Sequence, residues 1–163
     1  MRKLIAVLCV VAMMLIMAVP AFANPSVAVA VIPKTDGVVV SALDEEKPTA
    51  DIADEAAKDV VEAVNGEGVM TPTEAVKAVL GEEAEEVEAV EGYSFSSQFN
   101  EISAPEFPVD VAFEGTDENT KIMLINPEAD AEEKLVVIEA NEDGTFTFPF
   151  AGVFALMDPT PEA

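Results

Sequence analysis

Three apolar runs near the end of the chain constrain the fold more than any other feature of the sequence. They are KLVVIEA, TFTFPF and AGVFALM, spanning Lys134 to Met157, with Asn141-Glu142-Asp143-Gly144 between the first two. Asp-Gly between β-prone runs predicts a hairpin, because Gly144 can take the positive φ that a bulged type I loop needs. Phe146, Phe148 and Phe150 alternate with Thr147 and Pro149, so the three rings fall on one face of a strand. Such a wall of rings must be covered by another layer. Gly152→Ala is expected to be milder than Gly144→Val, unless Gly152 is also left-handed or tightly packed.

The runs upstream fit the same picture. Val109, Val111 and Phe113 alternate with Asp110 and Ala112, as in a half-buried strand entered after Pro105 and Pro108. Residues 120–126 (TKIMLIN) are continuously apolar, which predicts a strand covered on both faces, ended by Pro127. Nearer the N-terminus, VAVAVI and GVVVSAL read as β-type runs around a turn at Pro33 to Gly37.

Between these strand regions the periodicity is helical. After the charged connection Asp44 to Pro48, a helix is expected from near Thr49 or Asp51. Ile52, Ala53, Ala56, Ala57, Val60, Val61 and Val64 form its apolar stripe, and Asn65-Gly66 is expected to end it in a left-handed conformation. A second helix has Thr71 as N-cap, Pro72 in its first turn, Glu74 completing a capping box and Gly81 as its stop. Residues 82–91 carry six glutamates and leave open a short helix or a solvated linker. The expected class is α+β: two or three N-terminal helices followed by a C-terminal antiparallel β-sandwich, Ig-like or similar. The expected division is a strand-helix-helix part at 24–92, a sandwich module at 93–157 and a disordered tail at 158–163.

The N-terminus predicts export. Arg2-Lys3, an apolar stretch from Leu4 to Val19, Pro20 and then Ala21-Phe22-Ala23 together make a secretory signal peptide cut after Ala23. Cleavage removes Cys9, the one cysteine, so no disulfide or thiolate site is expected and about 140 residues must fold on their core alone. Removing Arg2 and Lys3 from the eight basic residues leaves six against 32 acidic ones, a net charge of −26. A surface of that sign repels phosphate backbones, so no nucleic acid partner is expected, and no membrane span remains after cleavage.

One resemblance adds to this reading. Phe99-Asn100-Glu101-Ile102-Ser103, PVDVAF, KIMLIN, an acidic gap, LVVIEANEDGTFTF and Phe154-Ala155-Leu156 follow one another in that order. The series resembles a β-rich C-terminal module of uncharacterised secreted or cell-wall-associated proteins of Gram-positive bacteria, over about residues 93–157. Asn100 stands where that module has Asp, Gly152-Val153 where it has Ser-Pro, and its Trp before the last hairpin is missing. The resemblance implies an extracellular structural module with no catalytic residues to carry over.

The inventory of reactive groups points the same way. The chain has no histidine, so Ser-His-Asp and Cys-His catalysis and imidazole metal sites are excluded. None of the serines sits in a G-x-S-x-G context. Paired carboxylates for glycoside chemistry have no Trp and a single tyrosine, Tyr93, as sugar platforms. The expectation is therefore no enzyme and no cofactor. The chemical alternative is calcium held by carboxylates in acidic loops, with Asp117, Asp130 and Asp143 as candidate ligands, although no loop follows the D-x-[DN]-x-[DN]-G pattern. The expected role is structural or interactive, at the cell envelope or outside the cell, with an unidentified protein or envelope polymer as partner. The second expectation is an extracellular binding protein using acidic loops for calcium or a cationic partner.

Overall fold

The computed structural model describes residues 31–43, 52–66 and 70–161. The signal peptide expected at 1–23 and the helix start expected at Thr49 or Asp51 lie outside them.

The fold is α+β and has three layers. A six-stranded antiparallel sheet occupies the middle, in the order β2 (Val39–Ala42), β4 (Asn100–Ser103), β9 (Gly152–Pro159), β6 (Lys121–Ile125) and β7 (Leu135–Glu139), with β3 (Tyr93–Phe95) also on β9. A three-stranded sheet, β1 (Val31–Pro33), β5 (Val109–Phe113) and β8 (Phe146–Phe148), covers one of its faces. Helices α1 (Glu55–Gly66), α2 (Pro72–Leu80) and α3 (Glu85–Ala89) belong to the opposite side.

The period-two alternation of β6 and β9 builds this arrangement. Ile122, Leu124, Phe154 and Leu156 pack with Phe113, Phe146 and Phe148 in the core between the sheets. Their neighbours Met123, Ile125, Val153, Ala155 and Met157 pack with Val60, Val61, Ala75 and Val76 of the helices. Continuous apolar sequence in these two strands is thus the mark of covering on both faces. Phe113, Phe148 and Phe154 are in mutual ring contact, with centroids 5.2–6.2 Å apart.

Helix α2 starts as its sequence dictates. The Thr71 hydroxyl accepts from the Glu74 N–H, and the Glu74 carboxylate accepts from the Thr71 N–H at 2.8 Å. This reciprocal contact holds the Glu74 carboxyl below its ordinary pKa. Residues 82–91, ambiguous in sequence, contain the single helical turn of α3.

Several details differ from expectation. The runs flanking Asn141 to Gly144 are not paired with each other: β7 pairs with β6 and β8 with β5. The turn itself is tight, with the Gly144 N–H on the Asn141 carbonyl, the Asn141 N–H on the Thr145 carbonyl, and Gly144 at φ +80°. It is an arch that carries the chain from one sheet to the other. Local sequence specifies the reversal, but burial of Phe146 and Phe148 between the sheets decides where the second strand goes. Gly66 ends α1 without a positive φ, and Asn65 instead turns its side chain toward Phe99. Strands β1 and β2, from the N-terminal side of residue 92, pair with β5 and β4 respectively. Asp158 and Pro159, placed in a tail by sequence, pair with Ser94 and Tyr93, and the Thr160 N–H donates to the Gly92 carbonyl.

Candidate functional site

Polar side chains that enter the core complete its hydrogen bonding. Strands β3 and β4 lie in tandem along one edge of β9, with a break at residues 96–99. Opposite the break, the Leu156 carbonyl accepts from the Ser96 N–H, and the Leu156 N–H donates to the Ser97 hydroxyl at 2.8 Å. Asn65 reaches the same break from the end of α1, accepting from the Phe99 N–H at 2.7 Å and donating to the Phe99 carbonyl. Buried Thr120 donates to the Asp158 carboxylate at 2.7 Å and accepts from the Asp117 N–H. Local sequence carries no direct sign of these roles, because apart from the Asp117–Thr120 bond each partner lies more than thirty residues away.

The three acidic positions singled out in sequence stand in three separate loops. One oxygen of Asp117 accepts from the Asn119 and Thr120 N–H groups. One oxygen of Asp143 accepts from the Thr145 hydroxyl at 2.6 Å and from its N–H, which holds the Asp143 carboxyl below its ordinary pKa. Asp130 is exposed between β6 and β7. Among the described residues, no three acidic side chains form a group with metal-holding geometry.

What the fold does assemble is an acidic rim with its positive charge drawn away. Lys134 points back to Asp54 at 3.0 Å, and that carboxyl, which also accepts from the Ala57 N–H, lies below its ordinary pKa, chiefly through the Ala57 bond and then through Lys134. Lys121 donates to the Ala89 carbonyl at 2.7 Å, stands 4.8 Å from the centre of the Tyr93 ring and lies 3.4 Å from Glu139. Both lysines thus hold elements together. Glu82, Glu83, Glu85 and Glu88 line, with Ala84 and Val87, a depression of about 310 Å³ at α3, the helix that contacts β7. The exposed acids of the loop at 128–133 precede the same strand.

Such a rim can attract and orient cationic groups. Among the described residues, no helix is long and apolar enough to cross a membrane. Compared with protein-family models, with curated proteins and with solved structures, the chain finds no match.

Proposed function

We propose that the chain is a secreted, non-catalytic protein of the bacterial envelope or cell surface, with a structural or interaction role. The observation that carries this reading is the export pattern at the N-terminus: Arg2-Lys3, the apolar run to Val19, and Ala21-Phe22-Ala23 after Pro20. The resemblance of residues 93–157 to an extracellular module of Gram-positive bacteria supports it. So does the use made of polar groups in and beside the core, since buried Ser97 and Thr120 and half-buried Asn65 are committed to joining elements. Mass spectrometry of the exported fraction should find a chain beginning at Asn24. A mature species that still carries Met1 would overturn the reading.

A second reading, an extracellular binding protein for a cationic partner, is favoured by the inward-turned lysines and the glutamate rim of α3. A basic polymer suits this rim better than calcium suits the loops, where Asp117 and Asp143 already use one oxygen each to hold their own turns. Isothermal titration with calcium and with oligolysine separates the two ligands. Heat from oligolysine that vanishes at high salt, with no saturable calcium isotherm, is the expected result.

A further inference from the structure

The strand beside the acidic rim has an open edge, and the register shows which of its backbone groups face outward. Among the described residues β7 pairs only with β6, Leu135 opposite Ile125 through Glu139 opposite Lys121. The Asn126 N–H donates to the Lys134 carbonyl at 2.8 Å, so Asn126 and Lys134 form a hydrogen-bonded pair. In an antiparallel ladder such pairs alternate with non-bonded ones. Val136 and Ile138 therefore bond to β6, while Leu135, Val137 and Glu139 aim their N–H and C=O groups away from it. No other described residue bonds to those groups.

Open edges are usually blunted by proline, lysine or brevity. β1 has three residues and contains Pro33, β8 has three and runs toward Pro149, and β2 has four. β7 has five residues, LVVIE, with neither device, and Val136, Val137 and Ile138 are only half-buried. One face of β7 packs with Val87 in the helix-side core, and the other joins the core between the sheets. A strand added here would find apolar surface on both sides, with the glutamate-rich α3 in contact with β7 and exposed Glu132 and Glu133 just before the strand.

We infer that the β7 edge is a docking site for an extended basic polypeptide segment, in which lysine or arginine alternates with apolar residues. Such a segment adds an antiparallel strand through the backbone of Leu135, Val137 and Glu139. Its apolar side chains continue one core face and its cations meet the glutamates. The inference deepens the cationic-partner reading and rests on it. A second copy of this chain is disfavoured as occupant by charge, since each mature copy carries −26.

The test uses the purified mature chain and an acetylated eight-residue peptide of alternating lysine and valine. Its twin has the same sequence and charge but N-methylated amides on one edge, which cannot form the ladder. The alternating peptide should bind with one-to-one stoichiometry, more weakly as salt rises, and the twin at least about tenfold more weakly. Val137→Pro removes an outward N–H without touching the β6 ladder and should give a similar loss. If that variant fails to melt cooperatively, the N-methylated twin still decides. Equal binding of both peptides to the parent chain overturns the edge site while leaving the cationic-partner reading in place. Binding of neither overturns both. A dimer of the mature chain that Val137→Pro dissociates would make a second copy the occupant, and would overturn the peptide.

Discussion

Two glycines and one serine show how differently single residues limit this fold. At Gly144 the limit is conformation: φ is +80° and the space around a Cβ is open. Gly144→Val should therefore cost about 1–3 kcal/mol through backbone strain alone. At Gly152 the limit is space. A Cβ there would be driven into the Ile125 carbonyl oxygen, with the Leu124 side chain 3.3 Å away. The neighbour is the backbone of a central strand, which cannot yield without disturbing both cores. Gly152→Ala should thus be at least as damaging as Gly144→Val, reversing the order that turn chemistry suggests, and denaturant midpoints of the two variants check this. Ser97→Ala tests the strand break. It removes the acceptor of the buried Leu156 N–H and should cost about 1–3 kcal/mol. Ser97→Thr, which keeps the hydroxyl, should recover part of that loss, whereas equal effects would mean that the hydroxyl does not matter.

Elements are joined by side chains whose partners are remote in sequence. α1 begins on Asp54, whose carboxylate caps the Ala57 N–H and holds Lys134, just before β7. Loss of the cap in Asp54→Ala should cost about 0.5–2 kcal/mol. The pH dependence follows from the sign of the shift. Asp54 titrates below its ordinary value in the folded chain, so its stabilisation is fully present above about pH 4, the range of an unfolded aspartate. That stabilisation is lost as pH falls through the folded value. The difference in stability between the parent and Asp54→Asn should accordingly be largest near neutral pH and shrink below about pH 4. Chemical denaturation across that range measures it, and a difference that stays constant with pH would assign the effect to packing. At the far end of α1, Asn65 plays the corresponding part by pairing with the Phe99 backbone in the strand break.

For the molecule as a whole, two separate cores share one sheet while the surface carries a large excess of negative charge. The cores hold Met123 and Met157 on one side and Leu124 and Phe154 on the other, so loss of either outer layer exposes a face of β6 and β9. The net charge of −24 opposes compaction through self-repulsion. Sodium chloride should therefore raise the melting temperature, and calcium at matched ionic strength should raise it somewhat more through its valence, in both cases without saturating. Asp130→Asn and Asp143→Asn should barely change either response. A calcium response that saturates and disappears in one of these variants would identify a discrete site and refute diffuse screening.

Local sequence determined the elements governed by short-range chemistry. The Thr71-Pro72-Glu74 start of α2, the positive φ of Gly144, the covering of β6 on both faces and the single-faced burial of Phe146 and Phe148 all follow from residues within a few positions of one another. Tertiary structure alone decided what those elements join. Asn141 to Gly144 looks the same whether its strands pair or part, and only a second sheet that covers the phenylalanines sends β8 away from β7. The tandem seating of β3 and β4 on β9, the need for glycine at 152 and the partners of Asp54, Asn65 and Ser97 depend on segments tens of residues apart. So does the acidic rim beside β7, since six glutamates at 82–91 become a flank of that strand only once α3 is packed against the sheet. Turns and caps are settled by energies local to the chain, whereas contacts at long separation exist only after both cores have formed.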